Sequence, residues 1–308
     1  MKKFLSKISL FFLLVAVLTG LWGWYAFTFE PKNSDSYLAA HSNKMARLDT
    51  LSSPRIILVG GSNVAFGFDS GRISDSLQRN VQNMGVHASI GLRYTMDQTA
   101  RGLRKGDVVI IMPEYEQFFF EYNGSGDIPA RTFLYSPPGS WRDLNFFQII
   151  NIIDGFPKME IARREERKST PGNSGWNYSA RNFNTFGDES AHWEADSMTF
   201  DFDLTLLPDS PDHYAVADFA SKVKDWRNNG YEVFLLWPST QRENFTRNYP
   251  QLRSLEKALE EKGISFDCSP ETFLHDASEM FDSDYHVRYP GVRSNTDKMI
   301  QFLKSKKI

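Results

Sequence analysis

From Ile8 to Phe27 the chain runs for twenty residues without a charged side chain, rich in Leu, Phe, Val and Trp. Such a segment has little choice of structure. Its backbone polar groups must be satisfied internally wherever its side chains are buried in lipid, and a helix of this length covers the ~30 Å hydrocarbon core of a bilayer. Lys2, Lys3 and Lys7 precede the run, and Trp22, Trp24 and Tyr25 lie near its far end. The lysines place the leading end in the cytoplasm and the aromatics suit a membrane interface, so the remainder is expected outside, in the periplasm or beyond the cell. No small-x-small cleavage site follows. We therefore read residues 1–27 as a retained single-pass anchor, with a cleaved signal peptide as the competing reading.

About 280 residues remain, enough for one sizeable α/β core without covalent staples. The single cysteine, Cys268, excludes an intrachain disulfide, so burial of apolar side chains must stabilise the fold. Net charge is −3, and lysines cluster only at the first residues and at Lys304 to Lys307, the latter suiting a solvated helix end. Nucleic acid is not implied.

Residues 28–53 are polar and mixed, suiting a juxtamembrane linker that leads into a short helix. Beyond it, Ile56 to Val59 forms an apolar run that breaks at Gly60-Gly61, the pattern of a buried strand entering a tight turn. Helical spacing at Ile73 and Leu77 follows, then a short element over Val81 to Gly85, helical character through Thr95 to Leu103, and the apolar run Val108 to Met112. Later come a helix over Val216 to Asn228 closed by Asn229-Gly230, a strand over Tyr231 to Trp237, a helix over Leu252 to Lys262, a short strand at Ile264 to Phe266, and a final helix over Asn295 to Lys304. Alternation of this kind predicts a mostly parallel sheet covered on both faces. The stretch from about 121 to 212 breaks the rhythm: it is rich in Gly, Pro, Asn and aromatics, including Trp141, Trp176 and Trp193, with one apolar helix around Phe146 to Ile153. It reads as an insertion or cap, its aromatics either stacking on sugar or forming a satellite core.

Ser62 sits in the glycine turn after the first strand, where open α/β sheets present ligands. His286 stands far along the chain in Phe281-Asp-Ser-Asp-Tyr-His286, with Asp282 and Asp284 both near enough to orient it. A serine hydroxyl needs such a base, and the base needs such an acid. Glu114 and Glu116 follow the strand at Met112; as a strand extension they would face opposite ways, which disfavours a paired-carboxylate glycosidase. His192 and His213 have acidic neighbours without ligand spacing, so neither metal nor other cofactor is expected.

Together these residues resemble the SGNH (GDSL-like) hydrolases over most of residues 55 to 304. Leu58 to Asn63 looks like block I with its serine, Gln82 to Gly85 like block II with its glycine, and Asp282 to His286 like block V. The resemblance implies a three-layer α/β/α, flavodoxin-like fold over 54–308, with Ser62 as nucleophile, His286 as base, Asp282 favoured over Asp284 as orienting acid, and the backbone N–H groups of Ser62 and Gly85 as oxyanion hole. Two departures stand out. The asparagine of block III is replaced by Pro113-Glu-Tyr-Glu116, so Glu114 or Tyr115 takes its place, and the residue three before His286 is Ser283. His87, just after block II, reads either as a cleft residue or, more economically, as a hydrogen-bonded structural histidine. Asn63 and Trp237 are further candidates for the cleft, as is Asn184, although a turn from Asn184 to Asp188 accounts for the latter more simply.

An anchored SGNH-like domain with an altered block III resembles proteins that modify cell-surface polymers, among them the D-alanyl transfer protein of teichoic acid systems and the alginate O-acetylation proteins. That implies an acylated glycan or glycan-lipid substrate and a membrane-bound O-acyltransferase as partner. The alternative is a non-catalytic SGNH scaffold that docks such a partner. The two differ in whether Ser62 and His286 come together.

Overall fold

The computed structural model describes residues 2–28, 35–136, 140–168, 178–195 and 206–308. It divides into two compact units, 1–34 and 35–308. The first contains helix α1, Lys2–Thr28, whose stretch Lys3–Tyr25 is long and apolar enough to cross a membrane, a test that signal sequences also pass. Residues 29–34 and Trp176 lie outside the described residues, so the sequence readings that fall on them have no structural counterpart here.

The second unit is a mixed α/β domain. Four strands, β1 (Arg55–Gly60), β2 (Asn80–Asn83), β3 (Val108–Met112) and β4 (Glu232–Leu235), form one parallel sheet in the order β2-β1-β3-β4. Register pairs Ile56 with Val108 and Val81, and Ile110 with Phe234. Because side chains alternate along a strand, each strand feeds two cores. Ile57, Val59, Val109, Ile111, Val233 and Leu235 face helices α2 (Ala40–Thr50), α5 (Leu92–Gly102), α8 (His213–Asn228) and α10 (Tyr249–Glu260). Ile56, Leu58, Val108, Ile110 and Met112 face the other way, toward α4 (Ser70–Leu77) and α11 (Tyr289–Ser305). Near-continuous apolar runs such as Val108 to Met112 are what burial on both faces demands.

Further elements are the short helices α3 (Ser62–Ala65), α6 (Ile128–Tyr135) and α9 (Arg242–Arg247), the long helix α7 (Phe146–Lys168) and a small parallel pair, β5 (Thr240–Gln241) with β6 (Leu274–His275). Helix α7 packs on α6, with Gly155 set against Asp127 and Ala130 and with Phe156 and Met159 buried, while Phe146, Phe147, Ile149, Ile150 and Ile153 stay exposed. Helix α8 starts at the Asp212 cap, whose carboxylate accepts from Tyr214 N–H, and ends before Gly230, whose positive φ of 84° suits glycine.

Three boundaries differ from the sequence reading. The folded unit begins at Asp35 rather than after residue 53, because α2 buries Met45 and Leu48 in the main core. No strand forms over Ile264 to Phe266. Ile264 is buried and Asp267 N–H donates to Leu235 O at 2.7 Å, but a single bond is not a ladder. Past Met112 the chain turns into a 3₁₀ helix, Tyr115–Phe118, capped by Glu114, so the two glutamates are not strand residues and the alternation argument does not apply to them.

A buried ion pair fastens the bottom of the sheet. Arg55 and Asp107 are both fully buried, with Nε donating to Oδ1 at 3.2 Å, and the same guanidinium reaches Leu48 O and Gly102 O at the ends of α2 and α5. Burial pushes the Asp107 carboxyl up, but the Arg55, Arg104 and Ser53 hydrogen bonds outweigh it and hold it below its ordinary value.

Candidate active site

Ser62 opens α3 at the carboxyl end of β1, and the two preceding glycines are there for space. A Cβ on Gly60 would lie 2.5 Å from Met112 O and one on Gly61 would lie 2.3 Å from Glu114 Oε1. Both contacts are closer than real side chains tolerate, so the turn closes onto the end of β3 only with glycine. Asn63 is fully buried and ties the same turn: its Oδ1 accepts from Gly61 N–H at 3.1 Å and its Nδ2 donates to Met112 O at 3.0 Å. It supports the turn and takes no place in the pocket.

Gly85 has a similar reason. A Cβ there would stand 2.6 Å from both Ala65 N and Gly61 O, so this glycine lets the β2 exit pass directly beneath the Ser62 turn. Its own N–H, expected at an oxyanion, is donated to Asn83 Oδ1 at 2.9 Å, and its carbonyl accepts from Lys44 Nζ. Burial lowers Lys44 to about 7 against the pull of Asp188 and Glu189. Gly85 thus builds the site without lending its N–H to it. Among the described residues, no hydrogen bond engages Ser62 N–H.

His286 comes from the loop before α11. Its Nδ1 is 2.6 Å from Asp282 Oδ1, and the other carboxylate oxygen accepts from Tyr178 OH. Burial pushes the Asp282 carboxyl up, but the His286 hydrogen bond and charge and the Tyr178 hydroxyl outweigh it, leaving it ionised below its ordinary value. An ionised carboxylate at Nδ1 assigns the proton to that nitrogen and leaves Nε2 as the free base. Phe66, one turn beyond Ser62, stacks flat on the imidazole at 3.8 Å with planes 7° apart. Its ring is also 4.8 Å from that of His192, whose Nδ1 lies 2.6 Å from Glu189 Oε2. Asp284, the second acid expected from sequence, points elsewhere: Oδ2 accepts from Asn244 Nδ2 at 2.7 Å and its carbonyl from Thr240.

Ser62 and His286 line one pocket of about 230 Å³ together with Tyr37, Leu38, His87, Ile128, Arg131 and Tyr178. Within it the Ser62 hydroxyl donates to Glu114 Oε1 at 3.0 Å, and the same oxygen accepts from Asn63 N–H at 2.9 Å; no hydrogen bond joins Ser62 to His286. Burial, reinforced by the nearby Glu116 charge, raises Glu114 to about 8 despite the Asn63 and Ser62 bonds that oppose it. Burial thus favours the neutral carboxyl beside Ser62 over the repelling anion that the sequence alone suggests. Glu116 is held by Tyr285 OH at 2.8 Å and is itself raised, by burial, to about 7.

Three more expected cleft residues, besides Asn63, lie elsewhere. Tyr115 and Trp237 are core side chains, Tyr115 packed edge-on to Trp237 and Tyr285, and Trp237 stacked on Phe266 at 3.6 Å. Asn184 closes a turn, with Oδ1 accepting from Phe186 and Asp188 N–H at 2.9 and 3.0 Å. Asp188 then binds Ser70 and Asn83 in the buried floor below. Sequence reasoning missed Tyr178, Arg131 and Tyr37. None has a local signal, because each reaches the pocket from a segment distant in sequence from Ser62, Gly85 and His286. His87 had one, its place two residues past Gly85. Among the described residues, no group of three or more His, Cys, Asp or Glu is placed to hold a metal ion.

Comparison with known proteins leaves the site to its own chemistry. No family model matches the chain, and no curated protein matches it. A serine hydroxyl and an imidazole oriented by a carboxylate, the serine and imidazole lining one pocket, are groups that acyl transfer through serine uses.

Proposed function

We propose that this chain is a membrane-anchored, SGNH-like serine acyl-ester hydrolase or O-acyltransferase that acts outside the cytoplasm on an acylated glycan or glycan-lipid. The observation that carries the reading is that His286, bonded to Asp282 at 2.6 Å, lines one pocket with Ser62 at the carboxyl end of β1. The resemblance of blocks I, II and V, the parallel sheet order and the apolar N-terminal helix support it.

In this scheme the Ser62 side chain turns from Glu114 toward His286. Oγ attacks the ester carbonyl carbon while its proton passes to Nε2, and Asp282 stabilises the imidazolium. The tetrahedral oxyanion collapses, the ester C–O bond breaks, and His286 returns the proton to the departing alcohol. Water or a sugar hydroxyl then attacks the acyl-serine by the reverse path, giving hydrolysis or transfer. Glu114, neutral at pH 7, parks the hydroxyl between turnovers without opposing negative charge on the substrate. The acylated glycan as substrate, and a membrane-bound O-acyltransferase as partner, rest on the resemblance.

A second reading is kept alive by one observation: the Ser62 hydroxyl is bonded to Glu114 and not to His286. On that reading the domain is a non-catalytic scaffold that binds the same partner. Incubation with 4-nitrophenyl acetate separates the two. The enzyme reading expects release of nitrophenolate and a Ser62-acetylated peptide, both lost in Ser62→Ala; equal turnover by wild type and Ser62→Ala removes it. Mass spectrometry of surface glycans from cells with and without the protein then tests the substrate class.

A further inference from the structure

Two of the oxyanion donors that the resemblance implies are missing here: the block III position carries Glu114, and Gly85 N–H is spent on Asn83 Oδ1. The wall of the pocket offers another group. The segment after Gly85 passes so close to the Ser62 turn that a Cβ on Gly61 would be 3.0 Å from Ala88 Cα. Gln117 Nε2 holds it there by donating to Ala88 O at 3.0 Å. His87, the residue before, lines the same pocket as Ser62 and His286.

The ring of His87 has a defined tautomer. Its Nδ1 lies 3.1 Å from Ser89 N–H and accepts from it, so Nδ1 carries no proton. The proton of the neutral ring is therefore on Nε2. Among the described residues no hydrogen bond reaches Nε2, and it is not sealed from the pocket. We propose that the Nε2–H of His87 donates to the acyl carbonyl oxygen and to the oxyanion it becomes, completing with Ser62 N–H the hole that Gly85 and block III leave open. This rests on the serine reading above and adds to it a catalytic residue.

Protonation would displace the Ser89 bond, and the surroundings oppose it. Burial first, then the charges of His286 and Arg131, lower His87 to about 4 against the weaker pull of Asp127. The ring is thus neutral over the working range, a donor through one nitrogen and never a competing base toward Ser62. Its position explains why a second histidine stands beside the catalytic one.

The test uses full-length protein in detergent, 4-nitrophenyl acetate as substrate and phenylboronic acid as a probe that forms a tetrahedral anionic adduct with serine. His87→Phe keeps a ring without a donor, and His87→Gln keeps an amide donor at similar reach. His87→Phe is expected to lower kcat about 10²- to 10³-fold with KM nearly unchanged, as loss of one oxyanion donor does. Boronate affinity should fall in parallel, and His87→Gln should recover at least about tenfold of the loss. A His87→Phe variant with wild-type melting that keeps kcat and boronate affinity within about threefold overturns the proposal. So does a Gln variant, folded, that recovers nothing. Failure of the serine reading looks different: wild type then releases no nitrophenolate, or Ser62→Ala retains the wild-type turnover, whatever stands at 87.

Discussion

Replacing Asp282 by Asn probes the part of the site on which the proposed chemistry turns. The carboxylate accepts two hydrogen bonds, from His286 Nδ1 at 2.6 Å and from Tyr178 OH. Asparagine has one acceptor oxygen. If that oxygen faces His286, the tautomer survives and only the negative charge is lost; if the amide faces it, the imidazole must carry its proton on Nε2 and ceases to be a base. Side-chain exposure is 9% for His286 and 8% for Asp282, so bulk water does not screen the pair and an effective dielectric of about 20 is appropriate. Two unit charges about 4 Å apart then attract by about 4 kcal/mol, the stabilisation of the imidazolium that Asn removes. At 1.36 kcal/mol per decade, this corresponds to about 10³ in rate, and to more if the tautomer flips as well. The assay is the initial rate of nitrophenolate release under saturating ester, with circular dichroism to confirm folding. Asp284→Asn is the comparison, expected within about fivefold of wild type because Asp284 is bonded to Asn244, away from the imidazole. Asp282→Asn activity within about fivefold of wild type, or a larger loss from Asp284→Asn, would refute the assignment.

Three further outcomes follow from the packing. Gly85→Ala sets a methyl 2.6 Å from Ala65 N and Gly61 O, so it should lower stability in urea by about 1–3 kcal/mol and lose activity with it; an unchanged urea midpoint would contradict the close approach. Asp107→Ala strands the buried Arg55 guanidinium and is expected to cost about 3–5 kcal/mol in urea, a loss below about 1 kcal/mol being inconsistent with the pair. Burial raises Glu114 to about 8 and Glu116 to about 7, so from about pH 5 to 8 the folded chain keeps protons that the unfolded chain releases, and their contribution to stability falls as pH rises. Glu114→Gln should flatten that decline, read as urea midpoint against pH, and gain on wild type most clearly above pH 8; parallel profiles would exclude a raised carboxyl at 114.

Where a local pattern has one physical solution, the sequence was sufficient. Twenty uncharged residues leave only a helix long enough for a bilayer. Val108 to Met112 and Ile56 to Val59 lie between turn signals and so become buried strands, and the glycines at 60, 61 and 85 mark places where backbones touch. Serine after the first strand and the histidine before the last helix line one pocket, as a parallel wind that brings strand ends to one edge allows. The short pair β5 and β6, two residues each, carries no periodicity to read, and Ile264 to Phe266 is apolar enough for a strand but finds no ladder.

Tertiary structure alone decided the rest, because hydrogen-bond partners and desolvation are properties of neighbours distant in sequence. Asp282 and Asp284 are equivalent as a string; Tyr178 and Asn244, 104 and 40 residues away, separate them. Glu114 is an obstacle to an oxyanion in the sequence and a neutral carboxyl in its buried setting. Ser62 was legible as a serine presented by a glycine turn. That its hydroxyl rests on Glu114, with His286 and His87 across the same pocket, depends on segments that only the folded chain brings together.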